Sequence, residues 1–221
     1  MQLTIFGASG GIGRHLVDQA LAAGHDVTAV VRDPARLSGT SARVVTADLA
    51  AAVPTELRAA LAGTDAVLSG LGPRHAADAG IASQGTRAIT DAMAGSGVRR
   101  IVVISAAPVG VVPSPGRPNP PRRDEGDGPL MRFVLGPVIR RVLGRSYADL
   151  ALMEEELREG GLDWTVVRPP RLTDGPLTGY RTAYGRNIRG GLSVSRANVA
   201  HLMLALLDRP DSIGQTVSAA D

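Results

Sequence analysis

Phe6-Gly7-Ala8-Ser9-Gly10-Gly11-Ile12-Gly13 follows the apolar run Leu3-Thr4-Ile5 and opens a segment in which Ile12, Leu16, Gln19/Ala20 and Ala23 recur at helical spacing. Strand, glycine turn and helix in that order are the start of a dinucleotide-binding βα unit. Each glycine answers a separate steric demand. Gly7 allows the tight turn, Gly10 lets the backbone approach a pyrophosphate, and Gly13 lets the helix pack against the strand. Amides at the helix start have no intrahelical acceptor and lie at the positive end of the helix dipole. The turn formed by Gly7, Ser9, Gly10, Gly11, Ile12 and Gly13 is therefore predicted to hold the diphosphate. A glycine turn with no ligand is the plainer alternative, and the strand and helix flanking it argue against that.

Working outward, Asp26–Val31 is a β-branched strand that ends in Val30-Val31-Arg32-Asp33. A site for NAD places a carboxylate at this strand end, to accept from the ribose 2′-OH. Here the place is taken by Arg32, with Arg36 one turn further on. Guanidinium groups suit a 2′-phosphate in forked geometry, so the pair predicts NADP(H). Asp33 could serve a ribose if the turn is rotated, and Arg32 read plainly is a solvated surface charge. Arg43–Thr46 reads as a third strand, followed by Asp48 and Leu49, placed to meet an adenine. Asp65–Ser69 reads as a fourth, followed by Gly70, Leu71 and Gly72, where small residues let backbone pass close to a cofactor. Pro54–Leu61 and Ile81–Ala94 are predicted helices, and Val98–Ile104 is a continuous apolar run suited to a strand buried on both faces. Repeated βα units of this length predict an α/β fold: a Rossmann-type doubly wound parallel sheet with right-handed crossovers.

The pattern breaks between Pro108 and Pro129, which holds seven of the fifteen prolines and the run Arg122-Arg123-Asp124-Glu125. Such a stretch cannot hold a regular helix or ladder. It reads as a disordered insertion or as a substrate-covering lid, since it directly follows a sheet strand. Leu130–Leu143 reads as a helix broken or kinked at Gly136-Pro137, and Tyr147–Arg158 as a separate acidic helix. Leu162–Val167 is a strand ending in Arg168-Pro169-Pro170. Residues 171–192 are expected to be loop, with Leu192–Val194 a short strand, Arg196–Leu207 a helix and Gln215–Ser218 a closing strand. The expectation is one domain over residues 1–221 with a small C-terminal substrate lobe.

Composition narrows the function classes. All 24 basic residues are arginine and lysine is absent, which reconciles a net charge of only +3 with a pI near 10.1. The arginine pairs are scattered with no aromatic interleaving, so nucleic acid is not expected as a partner. The chain has no cysteine, which excludes thiolate chemistry. The four histidines lack metal-ligand spacing, so no metal is predicted. No apolar run approaches the ~20 residues of a membrane span. A cytoplasmic protein is expected, monomeric or weakly dimeric, acting on a small molecule.

These residues together resemble the atypical short-chain dehydrogenases, the NAD(P)-binding group that includes NmrA-like proteins and the biliverdin/flavin reductases. The resemblance covers nearly the whole chain. It rests on residues 7–13, Val-Arg-Asp-Pro-Ala-Arg-Leu (31–37), Ala-Asp-Leu (47–49), Gly-Leu-Asp-Trp-Thr-Val-Val-Arg-Pro-Pro (161–170) and Pro-Leu-Thr-Gly (176–179). The last two blocks look like the biliverdin/flavin reductase branch. The resemblance implies a pocket over the nicotinamide, Arg32 and Arg36 at the 2′-phosphate, and Pro169 and Pro170 beside the nicotinamide.

The departures carry equal weight. Short-chain dehydrogenases use a Ser, a Tyr and a Lys four residues after the Tyr. Tyr147 stands at the Tyr place, but position 151 is Ala. The Ser aligns with Ser105, or instead with Ala106 or Ala107. Arg171 stands where the flavin reductase branch has a pocket His. Tyr147, Ser105 and Arg171 remain the candidates to polarise a carbonyl oxygen. Two functions follow. The first is an NADPH-dependent reductase of an easily reduced aromatic or conjugated acceptor, working without the Tyr-Lys acid. The second is an NADP-binding protein with a non-redox role, either an isomerase or cyclase of specialised metabolism or an NmrA-like redox sensor.

Overall fold

The structure is a computed structural model that describes residues 1–51, 54–72, 80–124, 126 and 136–221, with Pro54 and residues 136–143 described by their backbone alone. Strands β1 (Gln2–Phe6), β2 (Asp26–Val31), β3 (Arg43–Thr46), β4 (Ala66–Ser69), β5 (Arg100–Ile104) and β6 (Asp163–Arg168) lie parallel in the order β3-β2-β1-β4-β5-β6. β10 (Gln215–Ala220) continues the sheet parallel to β6, and β8 (Arg181–Tyr184) closes it antiparallel to β10. The chain thus winds outward from β1 in both directions, and the switch point lies between β1 and β4. In a doubly wound sheet that crevice is where ligands bind.

Side-chain alternation explains the layers. In β1, Leu3 and Ile5 face one core with helices α1 (Gly11–Ala22) and α5 (Arg196–Ala205), which also holds Leu16, Val17, Val199 and Met203. Phe6 faces the other core, with Val67, Ile101, Val103 and Val166. Helices α2 (Pro54–Ala60), α3 (Ile81–Ala94) and α4 (Gly136–Glu159) cover that second face. In β5, Ile101 and Val103 go one way while Val102 and Ile104 go the other, all of them buried. This is the two-faced burial that the apolar run predicts.

Two expectations are corrected. The helices read as Leu130–Leu143 and Tyr147–Arg158 are one helix, α4, of 24 residues. The Gly136-Pro137 break is its beginning: a proline fits the first turn, where its missing N–H has no partner to lose. Gly144 lies within it without ending it. Residues 130–135 of the first of those readings lie outside the described residues, as do 125 and 127–129 of the proline-rich stretch. The segment 171–192 is not all loop. It contains β7 (Arg171–Thr173), paired parallel with β9 (Ser193–Ser195), and the edge strand β8. β7 has three residues and β8 is largely exposed, so neither shows the alternation that marks a half-buried strand.

α4 is fixed to α3 by a cap lent across the layer. Gly80 begins α3 and offers no side chain. The Asp149 carboxylate supplies one from α4, accepting from the amides of Ala82 at 3.0 Å and Ser83 at 3.1 Å and from the Ser83 hydroxyl at 2.5 Å. A carboxylate at the positive end of a helix is stabilising on both counts, hydrogen bond and dipole.

Candidate functional site

Apart from Tyr147, which lies on α4, the residues singled out above fall in or beside loops along one edge of the sheet. These loops follow the C-terminal ends of parallel strands, and the strands are neighbours: Asp48 after β3, Arg32 after β2, Gly7 after β1, Gly70 to Gly72 after β4, Ser105 after β5, and Pro169 to Arg171 after β6. The registers Phe6↔Ser69, Ser69↔Val103 and Ile104↔Val167 bring those ends level.

The glycine turn has a cradle that side chains would fill. Gly7 has φ +68° and a methyl there would lie 3.0 Å from the carbonyl carbon of Gly70. A methyl on Gly13 would lie 2.1 Å from the Gly7 carbonyl oxygen. Helix α1 therefore rests directly on the backbone of the turn that follows β1. Gly10 donates to the Gly7 oxygen at 2.9 Å and accepts from Arg14 at 3.0 Å. α1 has no side-chain cap and no acidic residue in its first turn. Its leading amides are left for an external acceptor, and the donor set fits a diphosphate.

At the end of β2 the two candidate ribose partners stand in different surroundings. The Asp33 carboxylate accepts from the amide of Ala35 at 3.0 Å, capping the short turn Pro34–Leu37. Arg32 and Arg36 are exposed and have no carboxylate partner among the described residues. A third arginine joins them: Arg14 on α1 donates from Nη2 to the Arg36 carbonyl oxygen at 2.5 Å. Sequence reading missed Arg14, although its place directly after Gly13 and beside the end of β2 was a usable signal. Asp48 turns one oxygen to the amide of Ala50 at 3.2 Å. Leu49 and Leu71 meet over α3, where a methyl on Gly85 would lie 2.9 Å from Leu71 Cδ1 and 3.5 Å from Leu49 Cδ1. Gly85 is a second missed position: its bare backbone seats both leucines.

The three catalytic candidates stand in different surroundings. The Ser105 hydroxyl is buried and donates to Glu154 Oε1 at 2.7 Å. Arg168 clamps the same carboxylate, donating from Nε at 2.8 Å and from Nη2 at 2.5 Å, and Arg158 donates to Oε2 at 2.7 Å. Burial alone pushes the Glu154 carboxyl upward. It is outweighed by the hydrogen bond and charge of Arg168, the Ser105 hydroxyl and Arg158, which together hold it below the usual range. Ser105 thus spends its hydrogen on the protein. Tyr147 is half-buried against the second core, and burial pushes its phenol up. One turn on, Ala151 is packed in that core and 3% exposed. Arg171 is exposed at the start of β7, and its side chain has no hydrogen bond or ion pair among the described residues. Pro169 is buried, and its carbonyl accepts from Ala107 at 2.9 Å.

The described part of the proline-rich stretch is tied down beside this edge. Arg117 donates to the carbonyls of Val109 and Gly110 at 3.2 and 3.1 Å, and the Gly116 amide donates to Glu155 at 2.6 Å. Asp124 accepts from Gly126 at 3.0 Å and from Asn187 at 2.7 Å, so it links this stretch to the loop after β8. Among the described residues no group of histidines and carboxylates could hold a metal ion, and no helix is long and apolar enough to cross a membrane.

Comparison with known proteins agrees with this fold. A family profile described as NAD(P)H-binding matches residues 7–210, beginning on the glycine turn. A UPF0659 protein of Schizosaccharomyces pombe is 28% identical over 228 residues, covering 98% of this chain and 88% of its own. The oxidoreductase ylbE from Lactococcus lactis aligns with a TM-score of 0.80 at 19% identity, over 100% of this chain and 91% of that one. ChuY, an anaerobillin reductase from Escherichia coli, aligns with a TM-score of 0.76 at 22% identity, over 100% and 97%. At these identities the two structures share the fold.

Proposed function

The chain belongs to the NAD(P)H-binding family, and from that premise we propose that it is an NADPH-dependent reductase of a small aromatic or conjugated acceptor: a flavin, quinone, enone or ketone. The observation that carries the reading is the single row of residues along the C-terminal strand ends, with an uncapped α1 at its centre. When bound, NADPH supplies a hydride to the electrophilic atom of the acceptor.

The chain's own residues then have defined tasks. The amides of Gly11, Ile12 and Gly13 hold the diphosphate, and Arg32 and Arg36 grip the 2′-phosphate in forked geometry. Asp33 turns one oxygen to its own turn, and the two exposed arginines on either side of it favour a phosphate at that place. Pro169 and Pro170 flank the nicotinamide end, while Leu49 and Leu71 give apolar contact along the cofactor. Tyr147 keeps its proton, since burial raises its pKa, and donates a neutral hydrogen bond to the acceptor oxygen or nitrogen. The proton that balances the hydride comes from solvent through that hydrogen bond. Positioning carries most of the rate.

A non-redox use of the bound nucleotide is favoured by one observation: the position one turn after Tyr147 is a buried alanine, so no lysine activates the phenol. In that reading the pocket isomerises or cyclises its substrate, or the protein senses NADP(H) for a partner. Stopped-flow absorbance of NADPH mixed with flavins, quinones and enones separates the two. The reductase reading expects nicotinamide oxidation with at least one class. No oxidation with any of them would overturn it in favour of the non-redox reading.

A further inference from the structure

Arg196 opens α5 and lays its side chain across the first turn of α1. A methyl on Gly11 would lie 2.8 Å from both Cδ and Nε of Arg196 and 3.8 Å from Cζ. Nη1 donates to Asp174 Oδ1 at 2.5 Å. The Arg196 side chain is 28% exposed and that of Asp174 is 89% exposed.

This places a cation beside the positive end of a helix dipole, where cations are destabilised. Nothing on α1 balances it, because the helix has neither a side-chain cap nor an acid in its first turn. Asp174 satisfies the arginine but not the helix: no hydrogen bond joins Asp174 to α1 among the described residues. A carboxylate almost wholly in water holds its partner weakly. A diphosphate resting on the α1 amides would meet both needs at once, since phosphate oxygens accept from amides and from guanidinium alike.

The base of the side chain is rigid. The Ser195 hydroxyl caps α5 by accepting from the Asn198 amide at 3.0 Å and itself donates to the Pro176 carbonyl at 3.0 Å. Asn198 in turn is fully buried and accepts from the amide of Thr178 at 2.8 Å. Only the guanidinium end has to swing.

We propose that Arg196 is a ligand of the dinucleotide's diphosphate, held ready by Asp174, and that binding exchanges the Asp174 carboxylate for phosphate. The proposal rests on the nucleotide-binding reading above and adds two residues to it. Because the diphosphate is common to both nicotinamide cofactors, Arg196 acts on affinity and not on the choice between them.

The test measures Kd by calorimetry for NADPH, NADH and 2′-AMP, which lacks a diphosphate, on the wild type, Arg196→Met and Asp174→Asn. Losing a charge-assisted contact predicts that Arg196→Met binds NADPH and NADH about tenfold more weakly, with 2′-AMP unchanged. Removing the competing carboxylate predicts that Asp174→Asn, a fully surface change, binds both dinucleotides severalfold more tightly. Unchanged dinucleotide affinity in Arg196→Met, or equal weakening of 2′-AMP, overturns the ligand assignment. Weakening in Asp174→Asn overturns the exchange. A wild type that binds neither NADPH nor NADH overturns the proposed function itself, a result distinct from the other three.

Discussion

Glu154→Gln removes one charge from the most heavily bonded side chain at the strand edge. Glu154 is 1% exposed and receives four donors: Ser105, two from Arg168, and Arg158. Glutamine retains one carbonyl oxygen. In the place of Oε1 it keeps Ser105 and Arg168 Nε, but its amide group then turns hydrogens toward the guanidinium hydrogens of Arg168 and Arg158. Arg158 is 37% exposed and returns to water at little cost. Arg168 is 8% exposed and keeps an uncompensated buried charge. Breaking one side of such a pair costs about 3–5 kcal/mol. For a domain of this size each kcal/mol lowers Tm by about 2–4 °C, so the variant should melt roughly 6–20 °C lower near neutral pH. The pH dependence has a fixed sign. The folded carboxyl titrates below its usual value of 4.5, so its contribution is complete above that value and is lost as pH falls through the lower folded one. Thermal melts followed by circular dichroism from about pH 7 down to about pH 3.5 should show a constant gap at first and a narrowing gap below about pH 4.5. A gap under about 1 kcal/mol at neutral pH, or one as wide at the acid end as at neutrality, would refute the reasoning.

Two further outcomes test the nucleotide end. Arg32→Asp should weaken NADPH binding by about 2 kcal/mol, or roughly 30-fold, while leaving NADH nearly unchanged; equal losses in a titration with both cofactors would exclude a 2′-phosphate role. Gly13→Ala drives a methyl to 2.1 Å from the Gly7 oxygen, so the start of α1 must lift off the turn that follows β1. About 1–3 kcal/mol of stability should go with it, together with binding of both dinucleotides; wild-type affinity in that variant would show that the turn does not hold the diphosphate.

The glycine turn and the strand ends beside it were legible because their steric demands are local. The steric need for Gly13 is set by a residue six positions away, and the strand runs around it are apolar enough to show their period. The order of strand ends then follows from the right-handed crossover rule, which places Arg32, Gly7 and Gly70 side by side without any long-range information. What escaped notice depends on contacts between distant segments. Asp149 caps a helix by accepting from an amide 67 residues earlier in the chain. Gly85 is bare because two leucines from separate loops meet above it. Arg196 reaches Gly11 across the α1–α5 packing, and nothing within either segment announces it. β8 escaped for another reason: an edge strand exposed along most of its length has no core side to impose alternation. Ser105 was legible as a residue after a strand, but its commitment to Glu154 was not, because the carboxylate comes from the far end of α4.

The burial of Ala151 bears on which acceptor the proposed site could reduce. The position is closed over by the second core, with Leu150 and Met153 beside it, so it has no room for a solvated charge. The cations near the ends of β5 and β6 do not supply a proton in its place: Arg168 is clamped to Glu154 by two hydrogen bonds, Arg158 shares the same carboxylate, and Arg171, exposed after β6, stays protonated as any guanidinium does. Tyr147 is therefore a neutral phenol with its pKa moved up by burial, the opposite of the shift that makes a phenol a strong acid. General acid catalysis by an activated group is worth about a hundred- to ten-thousand-fold. An unactivated ketone, whose developing alkoxide needs that proton early, forfeits the whole factor. A flavin, quinone or conjugated enone spreads the incoming charge over several atoms and takes its proton late from water, so it forfeits little. On that ground the proposed reductase is expected to discriminate by the electronic demand of the acceptor as much as by its shape.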